Sequence, residues 1–315
     1  MVKTLVLFTA GLGGLYLGAD VLIRGASRLA RDLGVNALVI GLTVVAMGTS
    51  MPELLVGMVA SVRFSGDIAI GNVVGSNVAN IALILGIGAL IRPIRVQMRL
   101  LVREVPIMIF ASLAFYVFAL DGILSRWDGL ALAAGFIAYT LYLLDGARRE
   151  SPAIEVEYQK FVPAGGNIAS HILLTFVGLA VLLGGAHMVV SGAAATAQAL
   201  GISELAVGLT VVAMGTSLPE LATAVAASVQ DEGDILVGNV VGSNVFNLLA
   251  VLGAASIARP IPVAESVIRV EAPVMLAVSV IVLPFVWTTL RLTRWEAAIL
   301  LSAYAAFVVL LALPS

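Results

Sequence analysis

Two hexapeptides in this chain set a hydroxyl pair, a proline and a glutamate in the same order: GTSMPE at residues 48–53 and GTSLPE at residues 215–220. Both lie inside apolar runs long enough to cross a bilayer, where an ionised carboxylate costs about 2.5–3.5 kcal/mol on insertion scales. Thr49 stands four residues before Glu53, and Thr216 four before Glu220, so one helical turn aims each pair to the same side. Pro52 has no N–H for the carbonyl of Gly48, nor Pro219 for that of Gly215, and each ring crowds that turn. The expectation is a break in each helix that frees carbonyl oxygens over Ala46–Thr49 and Ala213–Thr216. Free carbonyls cannot face lipid, so they must line an enclosed cavity or bind something.

A second duplicated motif follows, GNVVGSNVAN at 71–80 and GNVVGSNVFN at 238–247. It stacks Ser76 over Asn80 and Ser243 over Asn247 at helical spacing. These side chains read either as further ligands or as interhelical hydrogen bonds of the kind polar residues supply in membrane bundles. Carbonyls, hydroxyls and two carboxylates that converge make an all-oxygen cavity. Such a cavity suits hard cations, calcium in particular, which accepts about six to eight oxygens. Neither motif contains Cys or His, which argues against copper, zinc or iron.

The elements that must position these groups follow from composition. The chain is 61% hydrophobic and 11% charged, whereas roughly a quarter of a soluble domain is charged. It is therefore read as an all-α integral membrane protein whose partner is the lipid bilayer. There is no cysteine for disulfides or thiol chemistry, and no basic run for nucleic acid. Apolar stretches predict ten spans near 3–23, 37–61, 69–91, 104–120, 127–145, 168–190, 204–229, 235–257, 271–289 and 294–313. The first is expected to be a retained helix and not a cleaved leader, because it has a counterpart at 170–190.

A shift of 167 residues lays Gly41–Asn80 on Gly208–Asn247 without a gap, with 28 of 40 positions identical. The same shift pairs Gly18 with Gly185, Pro93 with Pro260 and Glu104 with Glu271. Residues 1–146 and 168–315 thus read as two five-helix repeats joined by a central cytoplasmic loop, 147–167. Five is odd, so the copies enter from opposite faces. The expected fold is two inverted repeats whose broken second and seventh helices meet near the midplane, as in secondary transporters. Twelve Lys and Arg fall in the loops of one face and five in those of the other. That bias predicts a multi-pass protein of the cell (inner) membrane with both termini outside the cytoplasm.

The paired GTSxPE and GNxxGSN motifs resemble the two repeats of the calcium/cation antiporter superfamily, most closely a prokaryotic sodium/calcium exchanger, over nearly the whole chain. The resemblance implies that Glu53 and Glu220 are the main calcium ligands, completed by the backbone carbonyls of Thr49 and Thr216. It implies flanking sodium sites at Ser50, Ser76, Ser217 and Ser243, with the carbonyls of Ala46 and Ala213. Many such exchangers carry Asp where this chain has Asn247, opposite Asn80 in the first repeat. Two carboxylates then remain in place of three, which leaves proton coupling open and argues against potassium co-transport.

The expected activity is antiport of Ca2+ against Na+, with these ions as substrates, no cofactor and no protein partner implied. An H+/Ca2+ antiporter and a cation channel are the alternatives. An intramembrane hydrolase is disfavoured, because no paired aspartates, Ser/His arrangement or HExxH occurs in the spans. Asp67 and Asp234 read as N-caps, Asp20 as interfacial, His171 and His187 as lone residues near apolar segments, and Trp127, Trp287 and Trp295 as interface anchors.

Overall fold

A computed structural model describes residues 2–62, 66–149, 167–199, 213–287 and 289–312. Helix α1 spans Val2–Asp32, and after it α2 (Ala37–Thr49) and α3 (Met51–Val62) meet at a bend of 46°. Then come α4 (Gly66–Ile91), α5 (Leu100–Ala119) and α6 (Arg126–Arg149). The second half comprises α7 (Ile168–Ala199), α8 (Ala213–Thr216), α9 (Leu218–Val229), α10 (Gly233–Ala258), α11 (Val267–Trp287) and α12 (Arg294–Ala312). Among the described residues, eight helices are long and apolar enough to cross a membrane, or nine if α2 and α3 count as one bent span. Residues 201–212, which hold the start of the seventh expected span, and 150–166, most of the expected central loop, lie outside the described residues.

Burial separates the centre from the rim. In α10, 94% of the most apolar stretch is buried, against 22% in α6 and 17% in α12. The rim helices turn large apolar side chains outward, among them Ile137, Leu141, Phe176 and Val309. An apolar surface of that kind suits lipid and not water.

Helices α1 and α7 lie against each other backbone to backbone. A methyl group on Gly18 would sit 2.3 Å from the Leu182 nitrogen, and one on Gly185 would sit 2.5 Å from the Leu15 nitrogen. These are the same contact under the 167-residue shift. Both helices outrun their expected ends near 23 and 190, because an apolar window stops at Arg24 while the helix continues past it. Asp20, expected at an interface, lies within α1 and accepts from Arg24 and, across the halves, from Gln230 at 3.1 Å. His171 is not a lone residue: it pairs through Nδ1 with Asp32 at the end of α1.

Two short antiparallel ribbons, absent from the all-α expectation, tie the halves together. Strand β1 (Ile94–Arg95) pairs with β4 (Arg291–Leu292), and β2 (Ile123–Leu124) with β3 (Ile261–Pro262). Wide π-turns recur in repeat positions, at Ala79–Ile84 with Phe246–Val251 and at Leu100–Glu104 with Val267–Glu271. Asp67 and Asp234 are each the second residue of their helix and so do not cap it. Asp234 accepts from Gln97 at 2.6 Å, a partner no local pattern announces. The three tryptophans stand at helix ends, 67–80% exposed, as interface anchors do.

Candidate ion-binding site

Ser50 leaves helical geometry (ψ 12°) between α2 and α3, and Ser217 does the same (ψ 3°) between α8 and α9. The first break is a bend and not a gap. The Ser50 N–H still donates to the Ala46 carbonyl at 3.1 Å, which also accepts the Thr49 hydroxyl at 3.4 Å. The expectation of a free Ala46 carbonyl is thus corrected. Proline 52 removes only the bond to Gly48, and the N–H two residues earlier keeps its partner. Ala213 opens α8.

The glutamates just past the two bends are both 1% exposed. Each accepts from a serine of the other half. The Ser50 hydroxyl donates to Glu220 Oε1 at 2.8 Å, and the Ser217 hydroxyl approaches Glu53 Oε1 at 3.5 Å. Ser76 of α4 also reaches Glu53 Oε1 at 3.5 Å and lies 3.2 Å from the Ser217 hydroxyl. The two carboxylates therefore share one buried cluster with Ser50, Ser76 and Ser217.

Asparagines of α4 and α10 wall this cluster, and the sequence reading passed over four of them. The Thr49 hydroxyl donates to Asn239 Oδ1 at 3.1 Å, and the Thr216 hydroxyl to Asn72 Oδ1 at 3.2 Å. Asn80 donates through Nδ2 to Asn244 Oδ1 at 2.9 Å, and Asn247 to Asn77 Oδ1 at 3.1 Å. Asn77 and Asn244 each donate to the other's backbone carbonyl at 3.3 Å. A signal for them was present: Asn72 and Asn77 recur in the second motif as Asn239 and Asn244, in runs otherwise built to be apolar.

The amides of Asn80 and Asn247 thus act as interhelical glue through nitrogen while their oxygens stay unpaired. Buried atoms with no hydrogen-bond partner among the described residues include Asn80 Oδ1, Asn247 Oδ1, Glu53 Oε2, Glu220 Oε2 and the Ser243 hydroxyl. A buried acceptor left unpaired costs about 1–3 kcal/mol, more when charged. Five such oxygens on α3, α4, α9 and α10 match the donor set of a hard cation in type: two carboxylates and three neutral oxygens. Among the described residues, no group of three or more His, Cys, Asp or Glu converges in a way that could hold a metal ion.

Comparison with known proteins identifies the family. A family model described as "Sodium/calcium exchanger protein" matches residues 3–144 and again 170–313, one segment per repeat. The chain is 34% identical to the sodium/calcium exchanger MaX1 of Methanosarcina acetivorans, over 96% of each chain. It is 37% identical to the inner membrane protein YrbG of Escherichia coli, over 91% of this chain and 90% of that one. Its fold superposes on a structure of the sodium-calcium exchanger NCX_Mj with TM-score 0.87 and 32% identity, over 98% of both chains. A duplicated chain of apolar helices, matched repeat by repeat and end to end, leaves no other assignment: this multi-pass membrane protein belongs to the sodium/calcium exchanger family of the calcium/cation antiporters.

Proposed function

We propose that this chain is a secondary antiporter, not an enzyme and without a cofactor, which exchanges Ca2+ for Na+ by alternating access at one midplane all-oxygen site. The observation that carries this reading is the crossed pair of buried carboxylates, Glu53 beside Ser217 and Glu220 beside Ser50. In this reading Glu53 and Glu220 are the principal calcium ligands, with the carbonyls of Thr49 and Thr216. Ser50, Ser76, Ser217 and Ser243 serve sodium, with the carbonyl of Ala213. Asn80 and Asn247 contribute their unpaired amide oxygens to the same cavity. The fold is read as ten spans in two inverted repeats, 1–146 and 168–315. The matched π-turns and the two ribbons that link the halves support it. The Lys and Arg bias supports a cell-membrane orientation with both termini outside the cytoplasm.

Charge explains why the site exchanges and does not leak. Two buried carboxylates without a counter-ion are expensive to carry through a closed, low-dielectric state. One divalent ion, or two monovalent ions, neutralises them. Only loaded forms then cross readily, as Ca2+ or Na+ occupies the cavity while α1 and α7 rock against the rest. The test is isotopic calcium uptake into sodium-loaded proteoliposomes with equal pH on both sides. Uptake that follows the sodium gradient is expected. Uptake driven by a pH gradient alone would replace sodium with protons, and flux with no exchangeable ion opposite would make the protein a channel.

A further inference from the structure

A cavity of about 480 Å3 lies apart from the carboxylates, between the ribbon of β1 and β4 and the turn before α10; Arg92, Arg95, Asp231, Glu232, Asp234 and Arg291 line it. Arg95 and Arg291 stand directly opposite each other in the ribbon register. Side chains in that relation leave the same face of the ribbon, and like charges there repel. Both residues are exposed, and neither guanidinium has a hydrogen-bond or ion-pair partner among the described residues.

The acids that share the cavity are already engaged. Arg92 holds Asp231 at 2.7 Å, the Ser27 hydroxyl donates to Glu232 at 2.5 Å, and Gln97 donates to Asp234 at 2.6 Å. Burial also pushes the Glu232 carboxyl above its ordinary range, which favours its neutral form. Glu232 and Asp234 are bonded to neutral donors and not to either of these arginines, so the two guanidiniums are left as the cavity's charged groups with no partner among the described residues.

The fold does not demand them. The repeat places a smaller cavity of about 190 Å3 beside the other ribbon, with Ser61, Asp67 and Arg259 where the first has Ser228, Asp234 and Arg92. There the positions of Arg95 and Arg291 are held by Pro262 and Ile123, which face each other without charge. Among the described residues, an opposed pair of guanidiniums occurs in the ribbon at one end and not in the ribbon at the other. Exposed Trp287 and Trp295 flank β4 in sequence, the placement that tryptophan favours at headgroup depth. On the proposed orientation, which rests on the Lys and Arg bias, this is the cytoplasmic end, where anionic lipid collects.

We propose that this cavity binds a phosphate ester, with Arg95 and Arg291 offering their forked donors to its oxygens. Guanidinium forks match phosphate geometry, and a bound anion turns the repulsion across the ribbon into attraction. A phospholipid headgroup and a soluble phosphate share that chemistry, so the experiment separates them. The full chain in detergent is titrated with dioleoylphosphatidylglycerol, dioleoylphosphatidylcholine and inorganic phosphate, and bound ligand is counted by native mass spectrometry beside the unfolding midpoint.

The expected result is saturable phosphatidylglycerol binding that raises the midpoint, is not matched by phosphatidylcholine, and falls about tenfold in the Arg95→Gln/Arg291→Gln variant. Arg269→Gln, which removes a guanidinium paired with Glu265 elsewhere, is expected to bind like the native chain. Saturable binding of inorganic phosphate, lost in the same double variant, makes the ligand soluble and keeps the site. The proposal is overturned if neither phosphate-bearing probe binds beyond phosphatidylcholine, or if binding survives the double substitution. Should the double variant fail to fold, unchanged binding in both single variants overturns it equally.

Discussion

At the centre of the molecule the two copies of GTSxPE hold their carboxylates differently, whereas at its rim the two copies of the first helix touch in the same way. Glu220 accepts one short bond from Ser50, at 2.8 Å. Glu53, in a nearly identical hexapeptide, accepts two long contacts of 3.5 Å from Ser76 and Ser217. At the rim, by contrast, Gly18 on Leu182 and Gly185 on Leu15 are one contact made twice. If the proposed inverted repeats alternate access, a transporter open to one side must hold its halves in different conformations, because exchanging those conformations is what opens the other side. Contacts that differ between the halves are therefore candidates to change during transport. Contacts that match can persist.

The largest effect tests what the two carboxylates still share. On the proposed reading, Glu53→Gln and Glu220→Gln each halve the charge that would balance one calcium ion. Removing one member of a buried charge set costs about 3–5 kcal/mol, so exchange is expected to fall by roughly a hundredfold or more in both. Both variants are expected to insert and purify normally. Sodium-dependent calcium uptake reads the loss; exchange retained in one variant would confine the ion site to a single half.

A smaller effect tests the asymmetry. Hydrogen bonds to charged groups contribute about 1.5–3 kcal/mol when well made, and contacts near 3.5 Å far less. Ser50→Ala is therefore expected to weaken apparent calcium affinity by roughly tenfold, and Ser217→Ala by less than about threefold. Equal losses in the two variants would mean that the resting protein visits both arrangements equally, and the contrast between the carboxylates would lose its meaning for transport.

What the sequence made legible was local or periodic. The duplication, the apolar spans and the glutamates past each proline all follow from residue order, and the structure buries both Glu53 and Glu220, each beside a serine of the other half. What stayed hidden depends on partners far along the chain. Asn77 and Asn244 meet across 167 residues, and Gln97 finds Asp234 across 137. The shift reveals that both copies exist but not that each motif would bond to the other. The reading of Asn80 as either ligand or glue had no resolution in sequence, because the amide nitrogen and oxygen of one side chain take different tasks. The free Ala46 carbonyl failed for a different reason. Proline announces which bond is lost but not how the flanking turn closes around the loss.

The smallest expected effect falls on the matched contact at the rim, and it is read as stability and not transport. An alanine methyl at Gly18 or Gly185 would press on the backbone of the facing helix, which cannot rotate away as a side chain can. The helices must part along their length, at about 1–2 kcal/mol within the usual range for over-packing. Because the two contacts are repeat mates, Gly18→Ala and Gly185→Ala are expected to lower the unfolding midpoint in detergent by the same amount. Gly184→Ala meets nothing within 4 Å and is expected to leave the midpoint unchanged or raise it slightly, since alanine favours helix over glycine by about 1 kcal/mol. A clear inequality between the two mates would show that the rim shares the asymmetry of the centre. The backbone-to-backbone seam of α1 and α7 would then have to rearrange between states along with the serines, and could no longer serve as the constant part of the motion.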